Sequence, residues 1–377
     1  MKKLFIIIIF LLSGCGGLRL NQRLVLDEND WPMFARTTTR VGIATEMLVP
    51  PFARLWEHDV TSGFGTGSPV VVDSFLMLGN LRGELYVVNI HSGKRVGWVD
   101  IGDAINGTPV FSAGVVFVPV SNSEESLIAF DLAEGKPLWS KNYGDIEASP
   151  LLLEKKLYVG NTRGAFFCID IETGDQVWKF ELENNTKRKG IRSSAASNGS
   201  AIIFGADDGA IYSLDAQKGL LQWSVQTDAA IMATPCIVEG NALVGNTNGT
   251  MIAVRINDGT LAWSYAAGAS VYSTPILAAG LSIFGTTGGK MIALRQDGSA
   301  AWTSDVGGVV SASAALSGTT MFVGTLKKEF LALDAITGSI VWRDTVAGRI
   351  KSSPAIADGK VFIATDERLV LAYTEKK

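Results

Sequence analysis

The sequence predicts an all-β fold, an eight-bladed β-propeller of four-stranded antiparallel blades. Three observations carry this prediction: a tryptophan that recurs about every forty residues, an Asp-to-Gly turn ahead of most of these tryptophans, and a Ser/Thr-Pro pair at the head of most units. A period near forty residues is typical of propellers and solenoids, and four short strands fill one unit of that length. Eight such units fit one closed ring.

The tryptophan series sets the repeat. Eight of the nine tryptophans recur at gaps of 39 to 45 residues, while Trp31 lies outside the series. A tryptophan ring buries roughly 150–250 Å² and its N–H can still reach a backbone acceptor, so we expect each ring to lie between neighbouring blades. An aromatic ligand cage would need several rings at one point, which even spacing around a ring does not provide. We interpret the following residues as blade-docking: Trp56, Trp98, Trp139, Trp178, Trp223, Trp263, Trp302 and Trp342.

The turns give the strand order within a unit. Asp170 precedes Gly174 by four residues, which fits a tight turn because the carboxylate can accept nearby N–H groups and glycine accepts a positive φ. Pairs such as Asn248-Gly249 predict hairpins between the second and third strands. The Ser/Thr-Pro pairs at the heads of the units place proline at the first residue of a strand, where no ladder donor is lost.

Ring closure is predicted to use both chain ends. The last unit starts near Ile350, has three strands and stops at Lys377 without a tryptophan, whereas Trp56 precedes the first unit. The strand around residues 55–57 is therefore predicted to complete the last blade and to remove an open sheet edge. The predicted organisation is a signal peptide over residues 1–14, a lipidated linker and lead-in over 15–48, and the propeller over 49–377.

The N-terminal residues predict export and lipidation. Two lysines precede an apolar run over residues 4–12 that is too short to span a bilayer of about 30 Å. The tetrad Leu-Ser-Gly-Cys ending at Cys15 resembles a bacterial lipobox, which implies cleavage before Cys15 and attachment of a diacylglyceryl group, with chains such as palmitate, to its sulfur. Gly16 implies the outer membrane, by the lipoprotein-sorting habit of enteric bacteria. The alternative is an ordinary signal peptide with an incidental cysteine.

Composition bears on several function classes. Without the two signal-peptide lysines, 31 basic residues face 37 acidic residues, a net charge of −6 that does not favour nucleic acid. His58 and His91 are the only histidines, so no histidine metal site is expected, although a calcium site of oxygen ligands stays open. Cys168 and Cys236 lie singly in apolar runs of different units, and we interpret both as core residues rather than a disulfide.

The repeat pattern also carries a family resemblance. The pattern Ala-x-Asp-x-x-Thr-Gly-x-x-x-Trp, seen best over residues 332–342 and 168–178, resembles the repeats of quinoprotein-type propellers, and residues 30–36 resemble their lead-in. A lipoprotein of this size with little besides eight blades resembles the BamB family, the accessory lipoproteins of the outer-membrane β-barrel assembly machine. The resemblance implies a non-catalytic, cofactor-free scaffold that faces the periplasm and serves unfolded barrel clients. Its implied partners are the POTRA repeats of a BamA-like insertase and other assembly subunits.

The same resemblance implies a docking site. Contacts in the family come largely from loops of neighbouring mid-ring blades, with a Leu-Arg pair ahead of one blade and acidic residues ahead of the next. The longest interval of the tryptophan series contains a basic cluster in which Ile191-Arg192 matches the Leu-Arg pair, and only Asp228 lies near the acidic position. The implied contacts are Lys187, Arg188, Lys189, Ile191, Arg192 and Asp228. The alternative is a polar connection that keeps the surface soluble.

The same sequence bears on other function classes. Pyrroloquinoline-quinone dehydrogenases, as a family, stack the quinone between a tryptophan and a vicinal disulfide and hold calcium with carboxylate and amide oxygens. This sequence has no adjacent cysteine pair, and it has no Gly-x-Ser-x-Gly motif of a serine hydrolase. A binding module for another envelope protein or a polysaccharide would use the same inter-blade loops, so that alternative stays open.

Overall fold

Eight four-stranded antiparallel sheets are arranged as the blades of a propeller in the computed structural model, which describes residues 17–20, 22–183 and 190–376. The predicted all-β fold of eight blades is confirmed. A membrane-crossing helix, one both long and apolar enough to span a bilayer, is not found among these described residues.

The strands follow one another around the ring. Blade 8 takes its outermost strand from the N-terminal side, β1 (Phe52–Asp59). Blade 1 comprises β2 (Val70–Val72), β3 (Phe75–Gly79), β4 (Glu84–Asn89) and β5 (Arg95–Asp100). Blade 2 comprises β6 (Val110–Ser112), β7 (Val115–Pro119), β8 (Leu127–Asp131) and β9 (Lys136–Lys141). Blade 3 comprises β10 (Leu151–Leu153), β11 (Lys156–Gly160), β12 (Ala165–Asp170) and β13 (Gln176–Glu181). Blade 4 comprises β14 (Ala196–Ser197), β15 (Ala201–Gly205), β16 (Ala210–Asp215) and β17 (Leu221–Gln226).

The second half of the ring repeats this order. Blade 5 comprises β18 (Cys236–Val238), β19 (Asn241–Gly245), β20 (Thr250–Arg255) and β21 (Leu261–Ala266). Blade 6 comprises β22 (Ile276–Ala278), β23 (Leu281–Gly285), β24 (Lys290–Leu294) and β25 (Ala300–Asp305). Blade 7 comprises β26 (Ala315–Ser317), β27 (Thr320–Gly324), β28 (Glu329–Asp334) and β29 (Ile340–Thr345). Blade 8 ends with β30 (Ala355–Ala357), β31 (Lys360–Ala364) and β32 (Leu369–Glu375).

The ring closes with strands from both ends of the described chain. β1 pairs antiparallel with β32, from Phe52 opposite Glu375 to Asp59 opposite Leu369. Blade 8 therefore has β1 outermost and β30 innermost. The predicted closing strand is confirmed, and it covers the edge that β32 would otherwise expose.

The antiparallel order gives the ring two different faces. The hairpins between the second and third strands, and the loops that lead into each innermost strand, lie on one side, which we name the hairpin face. The turns between the first and second strands and the Asp-to-Gly turns lie on the other side, which we name the turn face. The two faces contact different parts of the chain.

The Asp-to-Gly turn is built as its sequence indicates. In blade 3, Asp170 Oδ1 accepts the backbone N–H groups of Glu172 and Thr173 at 2.9 and 3.0 Å. Gly174 has a φ of 72°, which glycine adopts without steric cost. A Cβ at Gly174 would lie 2.6 Å from the Trp139 ring, so the glycine also makes room for the indole of the preceding blade.

Tryptophan and turn together join neighbouring blades. Six turn glycines lie directly against an indole of the preceding blade, in the pairs Trp56–Gly93, Trp139–Gly174, Trp178–Gly219, Trp223–Gly259, Trp263–Gly298 and Trp302–Gly338. Five of these indoles donate their N–H to a backbone carbonyl of the same turn at 2.7–3.2 Å, with acceptors Ile90, Ile171, Ala216, Ile256 and Ala335. One side chain thus supplies apolar contact and a hydrogen bond across the blade boundary.

Trp98 departs from this arrangement. It follows Asn89 by nine residues, whereas the equivalent spacing in blades 2, 3, 4 and 7 is eight. The extra residue puts Gly97 at the docking position, and Trp98 pairs with Tyr86 instead. Trp98 therefore points to the other side of β5, where it packs against the core shared by blades 8 and 1. Trp98 therefore lies at the boundary of blades 8 and 1 and not on a turn glycine of blade 2.

The N-terminal segment fills the space that a tryptophan occupies elsewhere. Leu18 packs on Gly97, since a Cβ added at Gly97 would lie 3.1 Å from Leu18. Gly135, in the turn of blade 2, lies next to the Leu18 carbonyl. The backbone N–H of Leu20 donates to the Leu132 carbonyl at 2.7 Å, the acceptor position that indole N–H groups use in other blades. The described part of the predicted linker is therefore a packed docking segment, which corrects the prediction of a linker there.

The lead-in, residues 30–44, runs around the centre of the ring from the turn face. It hydrogen bonds to the innermost strands of five blades through the pairs Trp31–Val71, Pro32–Phe111, Thr38–Ser197, Thr39–Ile237 and Gly42–Leu316. These contacts give partners to inner strand edges that would otherwise be open. The lead-in is thus a cross-tie between blades on opposite sides of the ring.

Arg40 is the buried centre of this cross-tie, with 0% of the residue exposed. Its guanidinium donates to the backbone carbonyls of Ala195 at 2.9 Å and Pro150 at 3.1 Å, and to that of Phe34. Burial lowers the pKa of Arg40 to about 9. The fixed fork of guanidinium donors suits three acceptors that come from separate segments.

Candidate functional site

The Ser/Thr residues at the heads of the units form a chain of hydrogen bonds around the axis. The hydroxyl of one blade accepts the backbone N–H of the equivalent residue of the preceding blade at 2.8–3.0 Å. The donor and acceptor pairs are Ser68–Thr108, Thr108–Ser149, Ser149–Ser194, Thr274–Ser313, Ser313–Ser353 and Ser353–Ser68. The last pair joins blade 8 to blade 1. Sequence reasoning assigned these positions only through the following proline, although the recurring hydroxyl was a signal for this role.

A funnel opens at the centre of the hairpin face. Its volume is about 270 Å³, and Phe34 of the lead-in contributes to its lining. Head-residue hydroxyls line its wall, with Met232 and Tyr272 as neighbours. The Thr274 hydroxyl oxygen is buried without a hydrogen-bond partner in the described residues.

Arg192 lies at the edge of this funnel and bridges two blades. Its Nε lies 3.0 Å from Glu147 Oε2, in the loop before blade 3, and its guanidinium also pairs with Asp207 in the hairpin of blade 4. Burial opposes the charge, but Asp207 and Glu147 outweigh it and raise the pKa of Arg192 above its usual value. The side chain is 35% exposed, so part of it can contact a partner.

Asp228 lies on the next loop of the hairpin face, ahead of blade 5. Its two carboxylate oxygens accept the side-chain amides of Asn246 and Asn248, each at 2.6 Å. These hydrogen bonds, from Asn248 first, hold the pKa of Asp228 below its usual value. The carboxylate thus stabilises the blade 5 hairpin while the residue stays exposed.

Ile191 is a core residue and not a surface contact. It is 0% exposed, and a Cβ at Gly160 would lie 2.3 Å from its Cγ2 atom. Ile231 and Val271 occupy the same position in the next two units and pack on equivalent glycines. The structure therefore corrects the expectation that Ile191 contacts a partner.

Four of the sequence-derived site residues lie outside the described residues: Cys15, Lys187, Arg188 and Lys189. Their roles stay predictions. The end of the basic loop is nevertheless fixed, because the Gly190 carbonyl accepts the Asp207 N–H at 2.8 Å. The loop therefore rejoins the ring beside the bridge that Arg192 makes.

The described residues do not fit a quinone site of the dehydrogenase type. Cys168 and Cys236 are free and buried in strands of different blades, as the core interpretation predicted, so they cannot form a vicinal disulfide. Phe34 rather than a tryptophan contributes to the funnel lining. Within the described ranges, no group of three His, Cys, Asp or Glu residues is placed to hold a metal ion.

Known proteins similar to the chain include two groups, and the first is assembly factors. A family model described as outer membrane protein assembly factor BamB matches residues 53–189, 167–308 and 294–377. Similar curated proteins include the BamB of Shewanella oneidensis, 23% identical over 186 residues that cover 45% of each chain. The BamB of Legionella pneumophila is 22% identical over 195 residues, 49% of each chain. The chain thus spans about half the length of these curated relatives in the matched regions.

The second group is dehydrogenases. The quinohemoprotein alcohol dehydrogenase ADH-IIG of Pseudomonas putida is 26% identical over 113 residues, 27% of this chain and 16% of that one. Its crystal structure covers 92% of this chain and 80% of its own, with a TM-score of 0.77 and 15% identity.

The crystal structure of BamB from Moraxella catarrhalis covers 86% of this chain and 100% of its own, with a TM-score of 0.72 and 18% identity. At such identities the structural likeness shows the fold alone.

Proposed function

Because the chain belongs to the BamB family of outer membrane protein assembly factors, we propose that it is a non-catalytic scaffold of the outer-membrane β-barrel assembly machinery. It is held at the outer membrane by acylation at Cys15 and faces the periplasm. Its partners are the POTRA repeats of a BamA-like insertase, other assembly subunits and unfolded barrel clients. The observation that carries the proposal is the family match, which extends over all eight blades.

The rigidity of the ring supports a scaffold role. Tryptophans dock on turns, head hydroxyls link successive blades, and the lead-in ties opposite blades together. Loops on such a frame are held in position before a partner arrives, which reduces the ordering cost of binding. The hairpin face is therefore the surface that we assign to the partner.

The proposed docking loops are residues 183–193 and 227–233, which enter blades 4 and 5. The first contributes the cations Lys187, Arg188 and Lys189, followed by the half-exposed Arg192. The second contributes the exposed Asp228. These four cations outnumber the carboxylates of Glu183 and Asp228, which favours an acidic partner surface, and such contacts weaken as salt is added.

Affinity capture from envelope membranes tests this docking site. The lipidated protein is compared with the triple variant K187A/R188A/K189A, and retained proteins are identified by mass spectrometry. Arg192 is left in place because its removal would break the bridge to Glu147 and Asp207. The control is K327A/K328A/R163A, which removes three exposed cations from other hairpins of the same face.

We expect a BamA-like barrel protein with the native chain and the control, and its loss with the docking variant. Equal retention by both variants would contradict the docking site, and the absence of any barrel insertase would contradict the assembly role. In the latter case the open funnel, whose wall is lined by serine and threonine residues, favours the second candidate, a binding module for another envelope protein or a polysaccharide. Capture of such a component would identify it.

A further inference from the structure

The described chain starts inside the fold and not at the end of a long tether. Leu18, Leu20 and Leu24 are 1%, 3% and 2% exposed and belong to the core cluster of blades 1 and 2. Cys15 precedes Gly17 by two residues. An extended chain spans at most about 3.6 Å per residue, so the Cα atoms of Cys15 and Gly17 are within about 7 Å of each other.

This short distance fixes which part of the ring lies next to an acylated Cys15. Leu18 packs on Gly97 of β5, the outermost strand of blade 1, and on the Gly135 turn that precedes β9 of blade 2. Both contacts lie on the outer rim of the ring, toward the turn face. An acyl group on Cys15 can therefore enter a bilayer only if this rim lies close to the lipid surface.

The rim carries exposed cations. Arg19 and Arg23 donate to backbone carbonyls in the turns of blade 2 at 3.1 and 3.5 Å, and both hydrogen bonds are exposed. Arg95 and Lys136 are exposed at the starts of β5 and β9, next to the glycines that contact the N-terminal segment. Glu134, 4.0 Å from Lys136, offsets part of this charge. Asp73 adds a second carboxylate beside the segment, since it accepts a hydrogen bond from the Gln22 side-chain amide at 3.3 Å.

Exposed apolar side chains lie among these cations. Val96 is 42% exposed and Leu138 is 50% exposed, each on the outermost strand of its blade. The whole ring shows the same asymmetry. The described chain has fifteen large exposed hydrophobic residues, and two of them, Leu81 and Tyr272, belong to the hairpin face. The others belong to the N-terminal segment, the turn face or the outermost strands.

We infer that the rim of blades 1 and 2 is a second membrane-binding element that rests on a bilayer with anionic headgroups. The anchor-side patch consists of Arg19, Arg23, Arg95, Val96, Lys136 and Leu138. Arginine and lysine attract anionic headgroups, apolar side chains enter the interface, and basic residues strengthen an acyl anchor. The patch depends on the proposed acylation of Cys15 for its placement in the cell. The hairpin face and its funnel then point away from the membrane.

Vesicle binding tests the patch without lipidation or a partner protein. The mature chain with Cys15→Ser is made without residues 1–14, which leaves every described strand intact, and its vesicle-bound fraction is measured by flotation. We expect salt-sensitive binding to vesicles of phosphatidylcholine with phosphatidylglycerol, and little binding to phosphatidylcholine alone. R19E/R95E/K136E should reduce the bound fraction about tenfold or more. The control R163E/K327E/K328E makes the same charge change on the hairpin face and should bind as the parent does.

Equal loss in the two triple variants, or equal binding to both kinds of vesicle, would overturn the inference. Circular dichroism melts of both variants separate lost binding from lost folding. A failed capture of a barrel insertase would contradict the proposed function without affecting this result, because the vesicles contain no protein partner.

Cysteine labelling in native envelopes tests the same orientation. V96C and L138C should react several times more slowly with a membrane-impermeant maleimide than K327C on the hairpin face. The buried Cys168 and Cys236 add little background. Equal rates at the three positions would overturn the orientation. Protection of V96C without vesicle binding would show that a protein covers the patch, which also overturns the bilayer inference.

Discussion

Replacing Trp178 by alanine should lower the free energy of unfolding by about 3–5 kcal/mol, because it empties a docking position between two blades. The residue is 9% exposed, and its ring lies against Gly219 of the next blade. It also packs near Tyr158 and Phe166, with ring centroids 5.8 and 6.2 Å away. The perturbation therefore affects a contact between blades and the core of one blade together.

The magnitude follows from the buried area and the hydrogen bond. Removing about 200 Å² of buried apolar surface costs about 5 kcal/mol at 25 cal/mol per Å², which is an upper bound. The indole N–H donates to the Ala216 carbonyl at 3.1 Å, and Tyr158 Oη donates to the same carbonyl at 3.1 Å. Since that acceptor keeps a partner, Trp178→Phe should cost only about 1–2 kcal/mol.

Urea unfolding followed by far-UV circular dichroism measures these differences, since fluorescence would be altered by loss of the tryptophan itself. The matched control is Trp98→Ala, because Trp98 is only partly buried and does not lie on a turn glycine of the next blade. We expect about half the loss of Trp178→Ala for this variant. Equal losses for both alanine variants, or a loss under about 1 kcal/mol for Trp178→Ala, would refute the claim that docking on a turn glycine makes Trp178 more important for stability than Trp98.

Substitutions at three further positions test other contacts, two by the same urea unfolding and one by thermal melting. Ser68→Ala leaves the buried Ser353 N–H without its acceptor and should lower the free energy of unfolding by about 1–3 kcal/mol. Ser68→Thr keeps a hydroxyl and should be about as stable as the parent. Equal effects of the two substitutions would contradict this role. Arg40→Met leaves three buried carbonyls without the guanidinium and should cost about 3 kcal/mol or more, so a neutral result would contradict the cross-tie. Burial and then Arg95 lower the pKa of His58, so below about pH 6.5 the unfolded chain takes up a proton first and stability falls. The melting temperature of His58→Gln should therefore drop less than that of the parent between pH 7.5 and 5.5, and an equal drop would exclude this residue as a cause.

The repeat made most of the fold predictable. Each blade is built from local signals, namely a hairpin, an Asp-to-Gly turn and alternating strands, and these recur at one period. Closure by β1 followed from counting, because a last unit with three strands needs a fourth. Local turn chemistry and a count of strands are both readable without any knowledge of contacts.

The departures from the repeat were harder to predict because they depend on contacts between distant segments. The spacing of nine between Asn89 and Trp98 was visible, but its consequence is known only once Leu18 is seen beside Gly97. Arg40 gave no sequence signal at all, since its three acceptors are backbone carbonyls from separate parts of the chain. No residue pattern marks a backbone acceptor.

The candidate site was predicted only in part. Ile191 was assigned to a surface because it precedes Arg192, yet it occupies the core position that Ile231 and Val271 occupy in later blades. Comparison of equivalent positions along the repeat would have found this. Arg192 and Asp228 do lie on neighbouring loops of one face, but their anchoring partners come from other blades or hairpins and could not be read from spacing.

The two faces of the ring carry different contacts between blades. Indole docking, the N-terminal segment and the lead-in contacts all lie in the turn-face half or at the centre, so substitutions there weaken contacts between blades. On the hairpin face, Asp228 hydrogen bonds to the hairpin of its own blade. Arg192 bridges two blades there, and part of its side chain stays exposed. A partner can therefore bind these loops without competing for the contacts that close the ring. If the anchor-side patch also holds the turn face to the bilayer, the same asymmetry that stabilises the propeller directs its free loops into the periplasm.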